Sequence, residues 1–327
     1  FRTNFFYQLY YFMQRILITG TNGLLGQKLV YLLLERNLTS AKQYQIIATS
    51  RGENRLVNKK GYQYFDLDIT NESEVERIFA QTKPHVVINT AAMTNVDQCE
   101  KERKACDSIN VDAVAYQLRA LEKMQHAEKN YKPHFIHLST DFVFDGEAGP
   151  YSENDKPNPI SYYGHSKYKA DLLVEESTVN WAIVRTIIVY GVVDNMSRSN
   201  LVLWAKSALQ KGETINVIND QFRAPTLAED LAEGCMLIAD KKAKGIYNIS
   251  GRDTYSILDL VYQIADFWQL NKSLIQVVSS TTLNQPAKRP PRTGFILDKA
   301  INQLGYKPKS FREGLNIIDK QLKGFEK

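Results

Sequence analysis

Tyr163 and Lys167 stand four residues apart in a segment, Tyr163-Gly-His-Ser-Lys167, that reads as helix from Tyr162 to Glu175. At that spacing both side chains share one helical face. A free phenol, with a pKa of about 10, is a poor proton donor near neutrality. An ammonium beside it favours the phenolate and lowers that value. The pair is therefore expected to act as a tuned acid or base, which is what reducing a ketone or oxidising an alcohol requires. Such pairs arise by chance on many helices, so the elements around this one decide whether it is chemical.

Those elements begin with Ile16-Leu17-Ile18-Thr19, which reads as a buried strand. Gly20-Thr-Asn-Gly23-Leu-Leu-Gly26 follows, and Leu25, Leu29, Leu32 and Leu33 mark one face of a helix. Strand, glycine turn and helix in that order point to a dinucleotide site. Gly20 permits the turn, Gly23 lets backbone approach a pyrophosphate, and Gly26 lets helix and strand pack closely. The helix N-terminus offers N–H groups to phosphates.

Further strands are expected at Gln45–Thr49, Tyr62–Leu67, His85–Thr90, His134–Thr140 and Trp181–Thr186. Between them lie a helix capped near Thr70 or Asn71, helical pattern over Cys99–Asp107 and Val111–Met124, and the Tyr162–Glu175 helix. This alternation predicts an α/β fold, a Rossmann-type doubly wound parallel sheet. Beyond Gly191 the pattern loosens: helix Asn200–Gln210, strand Ile215–Ile218, helix Leu227–Ala239, strand Gly245–Ser250, helix Ser256–Trp268, and a last helix from near Phe311. The expected division is a dinucleotide-binding domain of residues 13–192 plus 220–250. A smaller C-terminal α/β substrate-binding cap, residues 193–219 plus 251–327, would cover the carboxyl ends of the sheet. Residues 1–12, rich in aromatics, read as an N-terminal extension outside the fold, with Met13 opening the part that carries it.

Composition excludes several classes. The net charge of +5 is spread along the 327 residues without a Lys/Arg block, so nucleic acid is not an expected partner. No apolar run approaches the roughly 20 residues that span a bilayer, so neither is a membrane. Three cysteines, Cys99, Cys106 and Cys235, lack C-x-x-C spacing and fit reduced thiols in a cytoplasmic setting. The histidines offer no metal site: His134 and His137 point to opposite faces of a strand, and His165 lies on another helical face from the Tyr/Lys pair.

Thr49-Ser50-Arg51 ends the second strand, with the first acid only at Glu53. Arginine there accommodates the 2′-phosphate of NADP, whereas an acid would bind the ribose 2′-hydroxyl of NAD. NADP(H) is the expected cofactor, with NAD(H) and a merely solvated Arg51 as the alternative. Asp68 is placed to accept from the adenine amino group, or else to serve as a helix N-terminal charge. In Leu138-Ser139-Thr140-Asp141 the Thr140 hydroxyl is expected to orient a substrate carbonyl against Tyr163. Asp141 either touches substrate or holds a turn.

Gly20-x-x-Gly23-x-x-Gly26, Asn89-Thr-Ala-Ala92 and Tyr163-x-x-x-Lys167 together resemble the extended short-chain dehydrogenase/reductases. Within them, Lys83 through Glu100, Ser139-Thr-Asp-Phe-Val-Phe-Asp-Gly146 and Asn219-Asp-Gln-Phe-Arg-Ala-Pro-Thr226 resemble the dTDP-4-dehydrorhamnose reductase branch, over Met13 to about Gly314. The resemblance implies Thr140, Asp141, Tyr163 and Lys167 as the catalytic and substrate-orienting set. It implies a cofactor set of Gly20, Asn22, Gly23, Leu24, Leu25, Gly26, Ser50, Arg51, Asp68, Ile69, Thr90, Ala91 and Ala92, with the two alanines lining the nicotinamide ribose, joined by Tyr163 and Lys167.

Thr94, Val96, Asp141, Arg223, Arg289 and Arg292 are the implied substrate contacts. Arg289-Pro-Pro-Arg292-Thr293 is similar to the family's late Arg-Pro-x-x-Ser loop, so its arginines are either diphosphate ligands or solvated charges. Two departures stand out: Arg223 where the branch has glycine, and the spacing of Gly294-Phe-Ile-Leu297 after the loop. The implied activity is NAD(P)H-dependent reduction of the C4 ketone of a nucleotide-linked 6-deoxy-4-keto-hexose, dTDP-4-dehydrorhamnose first among them. A nucleotide sugar is then the partner, and a homodimer the expected assembly. Three alternatives stay open: a sugar-nucleotide dehydratase, which would need Glu where Phe142 stands; an epimerase; and a non-catalytic nucleotide-binding regulatory subunit resembling that of methionine adenosyltransferase.

Overall fold

Ile16-Leu17-Ile18 and Val86-Val87-Ile88 are apolar on both faces of the pleat, which only a sheet covered by helices on both sides can satisfy. The computed structural model, which describes residues 13–195 and 199–325, places them side by side at the centre of such a sheet. The expected extension 1–12 lies outside the described residues.

The strands are β1 (Gln14–Thr19), β2 (Tyr44–Ser50), β3 (Gln63–Asp66), β4 (Val86–Asn89), β5 (His134–Thr140), β6 (Asn180–Thr186), β7 (Val189–Tyr190), β8 (Ile215–Ile218), β9 (Phe222–Arg223), β10 (Thr226–Leu227), β11 (Gly245–Asn248), β12 (Tyr255–Ser256) and β13 (Ile275–Val278). Seven form one parallel sheet in the order β3-β2-β1-β4-β5-β6-β11. The order reverses direction between β1 and β4, which opens a crevice at the carboxyl ends.

The helices are α1 (Leu24–Thr39), α2 (Glu72–Thr82), α3 (Val96–Lys101), α4 (Arg103–Asp107), α5 (Ala113–Ala127), α6 (Tyr162–Glu176), α7 (Leu201–Gln210), α8 (Ala228–Lys241), α9 (Ile257–Phe267) and α10 (Phe311–Phe325). Ile16 and Ile18 pack with Leu29 and Leu33 of α1 and Leu231 of α8 on one face of the sheet. Leu17 points to the other face, with Val75 of α2, Leu121 of α5 and Val174 of α6. A third apolar cluster joins α7, α9, α10, β8 and β13. The pairs β7–β10, β9–β12 and β8–β13 are short two-stranded ribbons.

The single helix expected over Cys99–Asp107 is two. The backbone breaks at Glu102 (φ −117°, ψ 54°) between α3 and α4. A turn of π-helix, Ser108–Asp112, then leads into α5. Such turns re-aim side chains, and here Asn110 is turned inward, accepting from Met93 N at 2.8 Å and donating to Met93 O at 3.0 Å. Among the described residues, no helix is long and apolar enough to cross a membrane, and no group of three or more His, Cys, Asp or Glu side chains converges as a metal site.

Two glycines set the distances that the crevice depends on. A Cβ on Gly26 would lie 2.4 Å from the Gly20 carbonyl oxygen, so only glycine lets α1 start this close to β1. A Cβ on Gly164 would lie 2.2 Å from the Phe142 carbonyl oxygen. That contact presses the first turn of α6 onto the end of β5, and Ser161 caps it by accepting from Gly164 N at 3.1 Å. Gly164→Ala is therefore expected to cost about 1–3 kcal/mol of stability, as overpacking does. An unchanged midpoint in chemical denaturation would show that the contact tolerates a methyl group.

Candidate active site

Residues that follow β1, β4, β5 and β6 line a cavity of about 630 Å³ at the carboxyl ends of the sheet. Its floor is the glycine turn. Gly23 serves as N-cap of α1 with no side-chain cap, and the first turn carries no acid. The N–H groups there are left for a ligand. Gly20, at φ 73°, lies against the backbone of Ala91, whose N and Cα are each 2.9 Å from where a Cβ would stand. A turn that side chains would fill, under an uncapped helix, fits a dinucleotide pyrophosphate.

Asn22, Gly23, Leu24, Leu25, Thr90 and Ala92 all reach the cavity wall, as do Thr94 and Val96. Asn22 also braces the turn: its amide donates to Glu53 O at 2.8 Å and accepts from Arg55 N at 2.9 Å, which fastens the loop after β2. Thr90 donates to Thr19 O at 2.6 Å. Ser50, Arg51, Asp68 and Ile69 stand outside the wall. Arg51 is 79% exposed, with its guanidinium 3.8 Å from Asp68. Asp68 accepts from Thr70 N at 3.0 Å and Thr70 Oγ1 at 2.7 Å, so one of its oxygens already holds the turn before α2. Ile69 packs in the core under that helix.

Thr140, Asp141, Tyr163 and Lys167 meet in the wall opposite the turn. Tyr163 sits edge-on to Phe142, with ring centroids 5.7 Å apart. Its helix is anchored from the other side by the α3–α4 corner, where Glu100 accepts from Tyr162 N at 2.6 Å and Asp107 from Tyr162 Oη at 2.7 Å. Thr140 Oγ1 donates to Asp141 Oδ1 at 3.0 Å. Asp141 also accepts from Thr293 and lies 3.8 Å from Arg223 Nε. Burial pushes the Asp141 carboxyl up, against the pull of Arg223 and its hydrogen bonds.

The expected lowering of the Tyr163 pKa is not found. Burial pushes the phenol well above its ordinary value, outweighing the Thr140 hydroxyl that acts the other way. Nor does the Lys167 amine turn to the phenol: its Nζ lies 3.1 Å from His137 Nε2, in the sheet. A shared helical face fixes which way two side chains leave the backbone; the partner is then chosen by what lies across the packing.

The loop at 286–294 closes one side. Arg289 lines the cavity and makes a two-pronged ion pair with Asp97 of α3, at 3.1 and 2.8 Å. Arg292 does not line it; its guanidinium is exposed and stacks 4.1 Å from the Phe222 ring centroid. Arg223, the departure from the branch pattern, is buried. Its Nη1 donates to Phe222 O at 2.7 Å and Pro291 O at 3.4 Å, and its Nη2 to Pro290 O at 2.7 Å and Gln221 Oε1 at 3.3 Å. Both terminal nitrogens thus hold the loop, and Nε faces Asp141.

The sequence alone assigns no role to Gln221 or to the polar side chains behind Lys167, and Phe142 stands out there only as the residue in place of a dehydratase's Glu. Asp171 had a signal, since it continues the four-residue spacing of Tyr163 and Lys167 and so shares their helical face.

The model of the RmlD substrate binding domain matches residues 13–323. The chain belongs to this family. Within it, the chain is 31% identical over 318 residues to a dTDP-4-dehydrorhamnose reductase of Aggregatibacter actinomycetemcomitans, covering 94% of this chain and 98% of the relative. It is 28% identical over 320 residues to methionine adenosyltransferase 2 subunit beta of Bos taurus, covering 94% and 90%. A crystal structure of dTDP-4-dehydrorhamnose reductase from Bacillus anthracis in complex with NADP superposes with a TM-score of 0.78 at 28% identity, over 94% of this chain and 99% of that one. The RmlD match bears out the family resemblance and the Rossmann-type fold.

For an RmlD-family crevice with this loop, Arg223→Ala leaves Asp141 buried without its counter-charge and the Pro290 carbonyl without its donor, while Pro291 keeps only the Phe222 backbone N–H. The expected loss is about 3–5 kcal/mol, read by chemical denaturation. A variant as stable as the parent would mean that the clamp carries no load.

Proposed function

We propose that this chain reduces the C4 ketone of a nucleotide-linked 6-deoxy-4-keto-hexose, dTDP-4-dehydrorhamnose to dTDP-rhamnose, with NADP(H) as reductant and NAD(H) as the alternative. The chain is an NAD(P)H-dependent oxidoreductase of the RmlD family; the sugar is the proposal. The observation that carries it is the convergence of Thr140, Tyr163 and Lys167 on one crevice, facing an uncapped glycine turn. The NADP complex of the Bacillus anthracis relative supports the cofactor, as does an exposed Arg51 at the end of β2.

When bound, the dinucleotide supplies the hydride. The chain supplies the proton and the geometry. Burial keeps the proton on Tyr163 at neutral pH, so it is there to be given. Tyr163 Oη gives that proton to the oxygen of the ketone as the hydride arrives at carbon. Thr140 Oγ1, turning from Asp141, holds the same oxygen while charge grows on it. Lys167 supports the tyrosinate left behind. Arg289 is the candidate for the diphosphate, in exchange for part of its pairing with Asp97. Arg51 takes the 2′-phosphate. Residues 13–192 with 220–250 would form the cofactor domain, and 193–219 with 251–327 the cap.

A second reading is favoured by the methionine adenosyltransferase subunit, which matches over nearly the whole chain. It makes this chain a nucleotide-binding partner of another protein. Oxidation of NADPH and NADH against a panel of nucleotide-linked 4-keto sugars separates the two. Turnover of any sugar supports the reductase; none, together with a stable protein complex, supports the subunit. Elimination is disfavoured, because Phe142 packs on Tyr163 where a dehydratase needs a base.

Tyr163→Phe is expected to lower turnover about 100-fold or more while dinucleotide binding, followed by fluorescence, survives. Turnover near that of the parent would remove the phenol from the chemistry.

A further inference from the structure

Behind Lys167 lies a row of polar side chains to which the roles above assign nothing. The sheet register sets Thr19 of β1 beside Asn89 of β4, and Asn89 beside His137 of β5. The Thr19 hydroxyl donates to Asn89 Oδ1 at 2.7 Å. Gln117 of α5 donates to the same oxygen at 3.3 Å, and its amide is held in that sense by the Ala113 carbonyl at 3.0 Å. An oxygen that receives two donors fixes the amide, so Asn89 presents its NH2 to His137 Nδ1, 3.1 Å away.

The rest follows from counting protons. His137 Nδ1 accepts, so the neutral ring carries its proton on Nε2. Nε2 is the atom that faces Lys167 Nζ at 3.1 Å. Two donors do not share one hydrogen bond. With the imidazole donating, the amine has to accept, and only an uncharged amine has the lone pair to do so.

We propose that His137 is a positioning residue: through its Nε2–H it holds the Lys167 amine at the crevice wall and favours the form of that amine that can accept a hydrogen bond. Asp171, on the same helix, lies with Oδ1 3.9 Å from His137 Nε2 and without a hydrogen-bond partner there, while Oδ2 accepts from Ser139 at 2.9 Å and lies 3.8 Å from Arg185 Nε of β6. Cys106 of α4 is held by Ser166 at 3.3 Å and Asn110 at 3.4 Å. Burial brings Lys167 down to about 8, against the upward pull of Asp171 and Cys106. Burial, and then Lys167, hold His137 well below its ordinary value. The spare Asp171 oxygen gives the Nε2–H a second seat when the amine takes up a proton.

The inference rests on the proposed reduction for its use. After each proton given to substrate, Tyr163 is a phenolate whose conjugate acid is weaker than the Lys167 ammonium. Once the amine swings from His137 to the phenol, the transfer Tyr–O⁻ plus Lys–NH3⁺ to Tyr–OH plus Lys–NH2 runs downhill, and the amine regains its proton from solvent through the crevice.

The test follows the lysine Cε resonance and the imidazole nitrogen shifts by NMR in the full chain. The parent should show His137 as the neutral Nε2–H tautomer and a Lys167 midpoint near 8. In His137→Gln the amide oxygen rotates to accept from an ammonium, which favours the charged form. The midpoint should rise, with about a tenfold shift in the amine-to-ammonium ratio at fixed pH. The pH profile of turnover should move with it, whereas a merely structural loss lowers the rate at every pH and leaves the profile in place. An Nδ1–H tautomer in the parent, or an unmoved midpoint in the folded variant, overturns the inference. Should His137→Gln fail to fold, the tautomer of the parent decides. If the NMR results hold but no keto sugar oxidises NADPH, the reductase reading has failed and the positioning of Lys167 stands.

Discussion

An amine sealed inside protein must be matched atom by atom, because a buried charge without partners costs several kcal/mol. Lys167 is 2% exposed, and the surrounding structure is arranged to meet that demand. The strand register carries a hydrogen-bond chain from Thr19 through Asn89 to His137, ending on the amine. Asp171 and Arg185 add opposite charges on the far side. The sheet that builds the fold is thereby also the scaffold of the site. A slip of one residue between β4 and β5 would turn His137 away and leave the lysine unsupported.

The opposite wall answers a different demand. Asp141 needs a counter-charge, and the loop at 286–294 needs an anchor. Arg223 supplies both with one guanidinium, while Thr293 reaches the same carboxylate from the loop itself. Arg289 ties the loop to α3 through Asp97. Both arrangements border Thr140 and Tyr163 in the same cavity lining. The close contact of Gly164 with the Phe142 carbonyl sets how near they come. Packing distance, hydrogen-bond direction and charge balance therefore bear on the same few ångströms.

How much of this is legible in the sequence depends on the range of the interaction. Ile16 to Ile18, the glycine turn and the Tyr163–Lys167 spacing are local patterns, and the strands, turn and helix stand where those patterns place them. Boundaries shift by a residue at each end, as at β3 and β4. The corner at Glu102 has no local signal, because helical pattern runs through α3 and α4 and only the folded backbone breaks there. Partner choice was not legible at all. Helical spacing puts Lys167 beside Tyr163, but it says nothing of His137, 30 positions earlier on a neighbouring strand. Nor does a loop motif reveal that Arg289 faces the crevice while Arg292 stacks outside on Phe222.

The same buried chemistry bears on the choice between enzyme and partner subunit. Holding a dinucleotide needs the glycine turn, an uncapped helix and a wall of small side chains; it does not need a cluster of buried ionisable groups. Asp171 Oδ1 and Arg185 Nε and Nη1 have no hydrogen-bond partner, and Lys167, His137 and Asp171 each carry a pKa displaced by burial. Such a cluster weakens the fold relative to an apolar core of the same volume. A scaffold serving only to bind would be more stable without it. The cost makes physical sense where a proton has to be moved on every turnover, and that weighs toward catalysis.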